Sequence, residues 1–140
     1  MTTKLTIRST MKKSITLFTL LLSTMLFANE IQCKEDGNQM EINQCAYEDF
    51  QKADKELNRV YNEVRKKNKD DKLFLKNLKT SQKLWLQFLE AELNTIFSCP
   101  EQNQRICFGS MFPLLYNGSK AELTNDRTAQ LKRYLKDPMQ

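Results

Sequence analysis

The chain has 140 residues, with 22 Lys or Arg against 17 Asp or Glu, three glycines and no histidine. Without an imidazole, Ser-His-Asp catalysis and His-ligated zinc are excluded, and glycines at 37, 109 and 118 lie too far apart for a phosphate-binding loop or a GxGxxG fingerprint. The formal charge of +5 is not spread along the chain, and its distribution decides what it means.

Residues 1–28 hold Lys4, Arg8, Lys12 and Lys13, no acid, and then the apolar run from Ile15 to Phe27 closed by Ala28. A basic start, a short apolar stretch and a small exit residue predict a secretory signal peptide cleaved after Ala28, because a spanning helix needs about 20 apolar residues. The competing reading is an uncleaved membrane anchor. Glu30, Ile31 and Gln32 ahead of Cys33 do not form the small-residue box of a lipoprotein. The domain then runs over 29–140, without a transmembrane anchor after cleavage. Four of the 22 basic residues leave with the leader and none of the 17 acids does, so the remainder carries only +1. That balance gives no support to nucleic-acid binding.

Cys33, Cys45, Cys99 and Cys107 all fall in the exported part. An even count in a small exported domain reads as two disulfides formed in a periplasmic or extracellular space. Of three possible pairings, the spacing favours the local ones, Cys33 with Cys45 and Cys99 with Cys107. No CxxC pair offers a metal site, and no cofactor is implied.

Asn38 and Glu41 have capping-box spacing, and Ile42, Cys45, Ala46, Ala53, Leu57, Val60 and Val64 recur at three and four residues. The pattern predicts a first helix over about 39–67. Asn68, Lys69, Asp70 and Asp71 form a polar break, and either aspartate can cap a second helix whose stripe runs through Phe74, Leu78, Gln82, Trp85, Leu89 and Ile96. It stops near Cys99-Pro100, since proline disfavours helical geometry in the residue before it. The short link makes the two helices an antiparallel hairpin. Residues 98–118 have no clear period but much apolar mass, including Phe108, Phe112 and Leu114, which must pack on the hairpin. Ser119 and Glu122 then read as the capping box of a third helix carrying Leu123, Arg127, Leu131 and Leu135 on one face. The fold class is all-α: a long antiparallel helical hairpin plus a third C-terminal helix, stapled by two disulfides.

Charge is polarised along this architecture. Residues 29–63 hold nine acids and four bases, residues 64–89 eight bases and two acids. Arg65, Lys66, Lys67, Lys69, Lys72, Lys76 and Lys79 gather at the hairpin tip, as a solvated turn or as a contact for an anionic surface.

The ordered segments EINQCA (41–46), ADKELNRVY (53–61), SQKLWLQF with LEAE (81–92) and LTNDR (123–127) resemble the LprI-type lysozyme inhibitor N-terminal domain family over roughly Cys33 to Leu135. Matching positions include Asn43, Cys45, Asp54, Asn58, Tyr61, Gln82, Trp85, Phe88, Glu92, Thr124 and Arg127. The family usually has cysteines where this chain has Leu93 and Ser119, so Cys99 and Cys107 look like a local substitute. The resemblance implies an exported helical domain that resists lysozyme.

Asp54, Asn58 and Tyr61 share one ridge of the first helix, either a binding ridge or an interhelical polar network in which Asp54 accepts from Arg127 or a backbone donor. Trp85 reads as a core anchor. Glu90 and Glu92 point in different directions on a helix and cannot flank one bond, so a hydrolase is the least favoured reading. The preferred one is an exported, non-catalytic protein that binds lysozyme. The acidic start of the first helix (Glu41, Glu48, Asp49) would steer encounter, and the loop closed by Cys99 and Cys107 would insert, with Glu101 and Arg105 as polar contacts and Phe108 as an apolar anchor. The alternative is a periplasmic module that binds peptidoglycan or another envelope protein through the basic tip.

Overall fold

The computed structural model describes residues 31–136, so the expected leader over 1–28 lies outside the described residues. Asn38 opens α1 (Gln39–Lys67) as its sequence predicts. Its side-chain oxygen accepts from the backbone of Met40 and Glu41 at 2.9 and 3.2 Å, and its own N–H donates to Glu41 Oε2 at 2.8 Å. Arg65, Lys66 and Lys67 fill the last turn, where positive charge opposes the negative end of the helix dipole. Asn68 closes α1 by donating to the Val64 carbonyl at 2.8 Å. Three residues later Asp71 accepts from Phe74 N at 2.8 Å and starts α2 (Lys72–Ile96).

The segment after α2 differs from the expectation. Asn103 caps a short α3 (Gln104–Phe108), a 3-10 turn covers Gly109–Met111, and α4 already begins at Phe112 and runs to Lys132, followed by a 3-10 turn at Arg133–Leu135. Ser119 to Glu122 therefore sit inside α4 rather than at its start. Two causes outweigh the local capping signal. Pro113 stands in the first turn, where its missing N–H costs nothing. Phe112 and Tyr116, one turn apart with centroids at 5.4 Å, both pack on Phe97 of the α2 terminus and hold that turn helical. Gly109 makes the redirection between α3 and α4 with φ 61°, a conformation that side chains rarely adopt.

α1 and α4 run parallel. Near their starts Asn43 Nδ2 donates to the Ser110 carbonyl at 3.1 Å, and at the far end Lys67 Nζ, from the last residue of α1, donates to the carbonyl of Leu135 just after α4 at 2.8 Å. α2 runs antiparallel to both, so the expected hairpin is present. The closest partner of α1 along its length is nevertheless α4, not α2. Buried Ala46, Ala53 and Ala121 let these two backbones approach, and Thr128 at the same seam satisfies its hydroxyl on the Thr124 carbonyl at 2.9 Å.

Two apolar clusters fill the space under α2. Leu57, Val60 and Val64 of α1 meet Leu78 of α2 and Leu131 of α4 towards the hairpin tip. Leu89 and Leu93 of α2 and Phe97 at its C-cap meet Phe108, Phe112, Tyr116 and Leu123 at the other end. Half-buried Trp85 packs against both clusters. Fully buried side chains such as Leu93, Val60 and Leu131 contribute about 1.5–3 kcal/mol each relative to exposure. Leu93, where the family usually has a cysteine, is buried in the cluster to which Tyr116 and Leu123 of α4 belong, so apolar packing takes that position here.

Both disulfides have the local pairing that spacing favours, Cys33 with Cys45 and Cys99 with Cys107. The first ties the segment before α1 to that helix, and the second closes the loop over α3. Each stabilises by about 2–3 kcal/mol in the chain-entropy description.

Candidate functional site

The end of the molecule held by both disulfides collects the residues expected to meet a partner, though not all in the expected role. Arg105 of the 99–107 loop lies with Ile31, Met40, Asn43 and Tyr47 around a shallow depression of about 340 Å³. Met40 in the first turn of α1 and Ile106 in the disulfide-closed loop are each exposed to more than half their surface. Glu101 and Arg105 are exposed as well. Phe108 turns inward instead: its ring stands 5.4 Å from Phe97 and 6.2 Å from Phe112, so the outward apolar group of this loop is Ile106. Sequence reasoning missed Ile106 because nothing separates it from Phe108 until the direction of α3 is known.

The acidic residues of α1 divide between structure and surface. Glu41 is committed to the capping box, Glu48 accepts from Gln44 at 3.1 Å, and Asp49 pairs with Lys52 at 2.9 Å. Asp49 also lines an open groove of about 810 Å³ between α1 and α4, with Glu35, Glu56, Glu122 and Asp126 as further acids and Lys52 as a base. The groove follows from parallel pairing, which brings α4 acids opposite α1 acids. Glu56 is held ionised there: hydrogen bonds from Arg59 and then Lys132 lower its carboxyl pKa to about 2.

The ridge of Asp54, Asn58 and Tyr61 does not form the interhelical network. Asp54 and Asn58 are exposed, and Asn58 Nδ2 donates to Asp54 Oδ2 at 3.0 Å within α1. They stand just off the line of Ala53, Leu57 and Val60 that faces α4, which turns them to solvent. Tyr61 packs on the first cluster and lies under the Arg65 guanidinium at 5.9 Å.

Arg127 finds its partners on α2 instead. Its Nε donates to Gln82 Oε1 at 3.1 Å, Nη2 to Ser81 Oγ at 2.9 Å, and Nη1 to Gln130 Oε1 on its own helix at 3.1 Å. Burial lowers its pKa from the ordinary arginine value, a shift opposed by the Tyr134 and Tyr61 phenols. Thr124, one turn earlier, is buried and donates to the Lys120 carbonyl at 2.7 Å. With Trp85 and Phe88, Arg127 lines a second cleft, of about 500 Å³, between α2 and α4. Most α2 and α4 residues carrying the resemblance meet here, and Glu92 is half-buried further along α2.

At the opposite tip Arg65, Lys66, Lys69, Lys72, Lys76 and Lys79 are all exposed. Among the described residues no group of Cys, Asp and Glu is placed to hold a metal, and no helix is long and apolar enough to cross a membrane.

The family model described as Lysozyme inhibitor LprI matches residues 31–131. Uncharacterized protein R02472 of Rhizobium meliloti (strain 1021) is 32% identical over 117 residues, covering 76% of this chain and 80% of the relative. No solved structure matches. A family match that runs from the tethered segment before α1 to Leu131 at the centre of the first cluster spans nearly the whole described fold, and the chain belongs to the LprI lysozyme inhibitor family.

Proposed function

We propose that this protein is an exported, non-catalytic inhibitor that binds lysozyme and blocks peptidoglycan hydrolysis. The observation that carries the reading is the family match over 31–131. The two disulfides and the family together point to an exported protein, which the leader-like residues 1–28 would deliver to the periplasm or the medium.

Lysozymes cleave with two carboxylates set in a sugar-binding cleft, so an inhibitor needs only to fill that cleft or close its mouth. The disulfide-held end supplies what that task requires. Its loop is shortened by the Cys99–Cys107 bond and loses little freedom on docking. Ile106 and Met40 supply exposed apolar area, Arg105 and Glu101 polar contacts, and Glu48 and Asp49 the acidic surroundings that attract a basic enzyme. Phe108 supports the loop from beneath.

The test is peptidoglycan hydrolysis by one animal and one bacterial lysozyme in the presence of the purified mature protein at micromolar excess. At least one enzyme is blocked, and Ile106→Asp with Arg105→Glu weakens inhibition at least tenfold while the helix content is kept. Full activity of both enzymes overturns the reading.

The basic tip favours a second reading, contact with peptidoglycan or another envelope protein, because six exposed cations cluster within two turns of the α1–α2 link. Retention on purified sacculi that is lost on changing Lys66, Lys69 and Lys72 to glutamate supports it, and retention unaffected by those changes removes it.

A further inference from the structure

Arg127 is an anomaly in its own surroundings. It is only 7% exposed, yet its three hydrogen bonds go to Gln82, Ser81 and Gln130, all neutral. No carboxylate pairs with it among the described residues. Asp126, its neighbour in sequence, projects from α4 in a different direction and lines the acidic groove as well as the cleft. A buried cation without a counter-charge is costly, and natural folds retain one mainly where something supplies the opposite charge. A guanidinium has five N–H donors, so two remain beyond the three bonds described.

Those donors belong to a residue that lines an open cleft of about 500 Å³. One wall of the cleft is apolar and exposed: Leu84 and Phe88, one turn apart on α2, keep 59% and 51% of their surface in water beside half-buried Trp85. Ser81 and Gln130 each accept from Arg127 through oxygen, which leaves the Ser81 hydroxyl proton and the Gln130 amide hydrogens to donate outward. The cleft thus combines a buried cation that no carboxylate pairs with, an apolar wall and amide-compatible polar groups, with Asp126 as the one acid in its lining.

We propose that this cleft binds an acidic–apolar segment of a protein partner, with a side-chain carboxylate on Arg127 and the adjacent apolar side chain against Trp85, Leu84 and Phe88. The charge of Arg127 selects a carboxylate, and the polar rim fits a peptide backbone better than a bare alkyl chain. The cleft lies along the middle of α2 and the second half of α4, apart from the loop closed by Cys99 and Cys107, so the assignment stands independently of lysozyme inhibition.

Trp85 is the single tryptophan of the chain and lines the cleft, so its fluorescence reports occupancy directly. The probes are capped tetrapeptides that place Glu or Asp beside Leu or Phe, together with their Gln and Asn counterparts and a muropeptide from cell wall. Saturable change with at least one acid-bearing peptide is expected in the range of about 1 mM, and its amide counterpart binds at least tenfold more weakly. Arg127→Gln abolishes the preference for acid over amide. Phe88→Ser, at an exposed position, weakens binding about tenfold and leaves the thermal midpoint unchanged, which keeps the test valid if the Arg127 variant does not fold. No saturable change with any acid-bearing peptide up to about 10 mM overturns the proposal, as does equal binding of the amides. Saturation by the muropeptide alone overturns the assignment to a protein partner.

Discussion

Gly118 occupies the interior of α4, and a Cβ built on it meets nothing within 4 Å. Its backbone is ordinary helix, so nothing in the fold uses the freedom that glycine retains in the unfolded chain. Gly118→Ala therefore raises stability by about 0.5–1 kcal/mol in chemical denaturation, with an unchanged dependence on denaturant. Destabilisation would mean that the α1–α4 groove is narrower at that point than its geometry shows. Gly109 is the opposite case: there is space for a side chain, but φ 61° penalises one. Individual side chains were also where sequence reading was weakest. Opposite formal charges made Asp54 an attractive partner for Arg127, yet the helix turns Asp54 outward, and the partners actually used, Ser81 and Gln82, are uncharged and lie more than forty residues away along the chain. Hydrogen bonds to neutral oxygens, rather than attraction between charges, hold the guanidinium in that arrangement.

At the scale of helices, α1 was legible because the cap at Asn38, the apolar stripe and the polar break after Lys67 all agree. α2 was legible for the same reason at Asp71. The start of α4 was not, because the rings of Phe112 and Tyr116 act through Phe97, a tertiary contact invisible to a local pattern, while Ser119 and Glu122 offered a local signal that the fold does not use. The pairing of α1 with α4 was hidden too, since a short link directs attention to the sequence neighbour. One ion pair links this pair of helices: Lys132 of α4 reaches Glu56 of α1 at 2.9 Å, and Arg59 reaches the same carboxylate at 2.7 Å. The Glu56 pKa falls in the fold from its ordinary 4.5 to about 2, with the Arg59 hydrogen bond the larger cause and Lys132 the next. A lowered carboxylate pKa adds stability that is complete above the unfolded value and disappears as pH falls through the folded one. Thermal melts between pH 6 and pH 2 check this. Glu56→Gln is less stable than the parent above about pH 5, and the two curves converge towards pH 2. Parallel curves across that window would show that solvent screens this exposed pair completely.

Across the whole molecule, the charge that vanishes in the net reappears as separation. The part beyond the expected leader carries only +1, yet residues 29–63 hold nine acids against four bases, and residues 64–89 eight bases against two acids. α1 has 29 residues, so its ends stand about 43 Å apart at 1.5 Å per residue. The Debye length at physiological salt is about 8 Å, so a protein approaching the disulfide-held end feels Glu35, Asp36 and Asp49 and almost nothing of the lysines at the far tip. Steering therefore depends on the local field and not on net charge. If that end receives a basic lysozyme, its association rate falls about tenfold between 20 mM and 500 mM salt, while dissociation changes little. Changing Glu35 and Asp49 to lysine lowers the association rate at 20 mM salt to the value found at high salt. Changing Lys66, Lys69 and Lys72 to glutamate leaves the rate at physiological salt within about twofold of the parent, because the tip is screened. Stopped-flow or surface-immobilised kinetics separate these cases. A rate that is flat in salt, or that responds to the tip rather than to the acidic end, would place the encounter on a different face of the molecule.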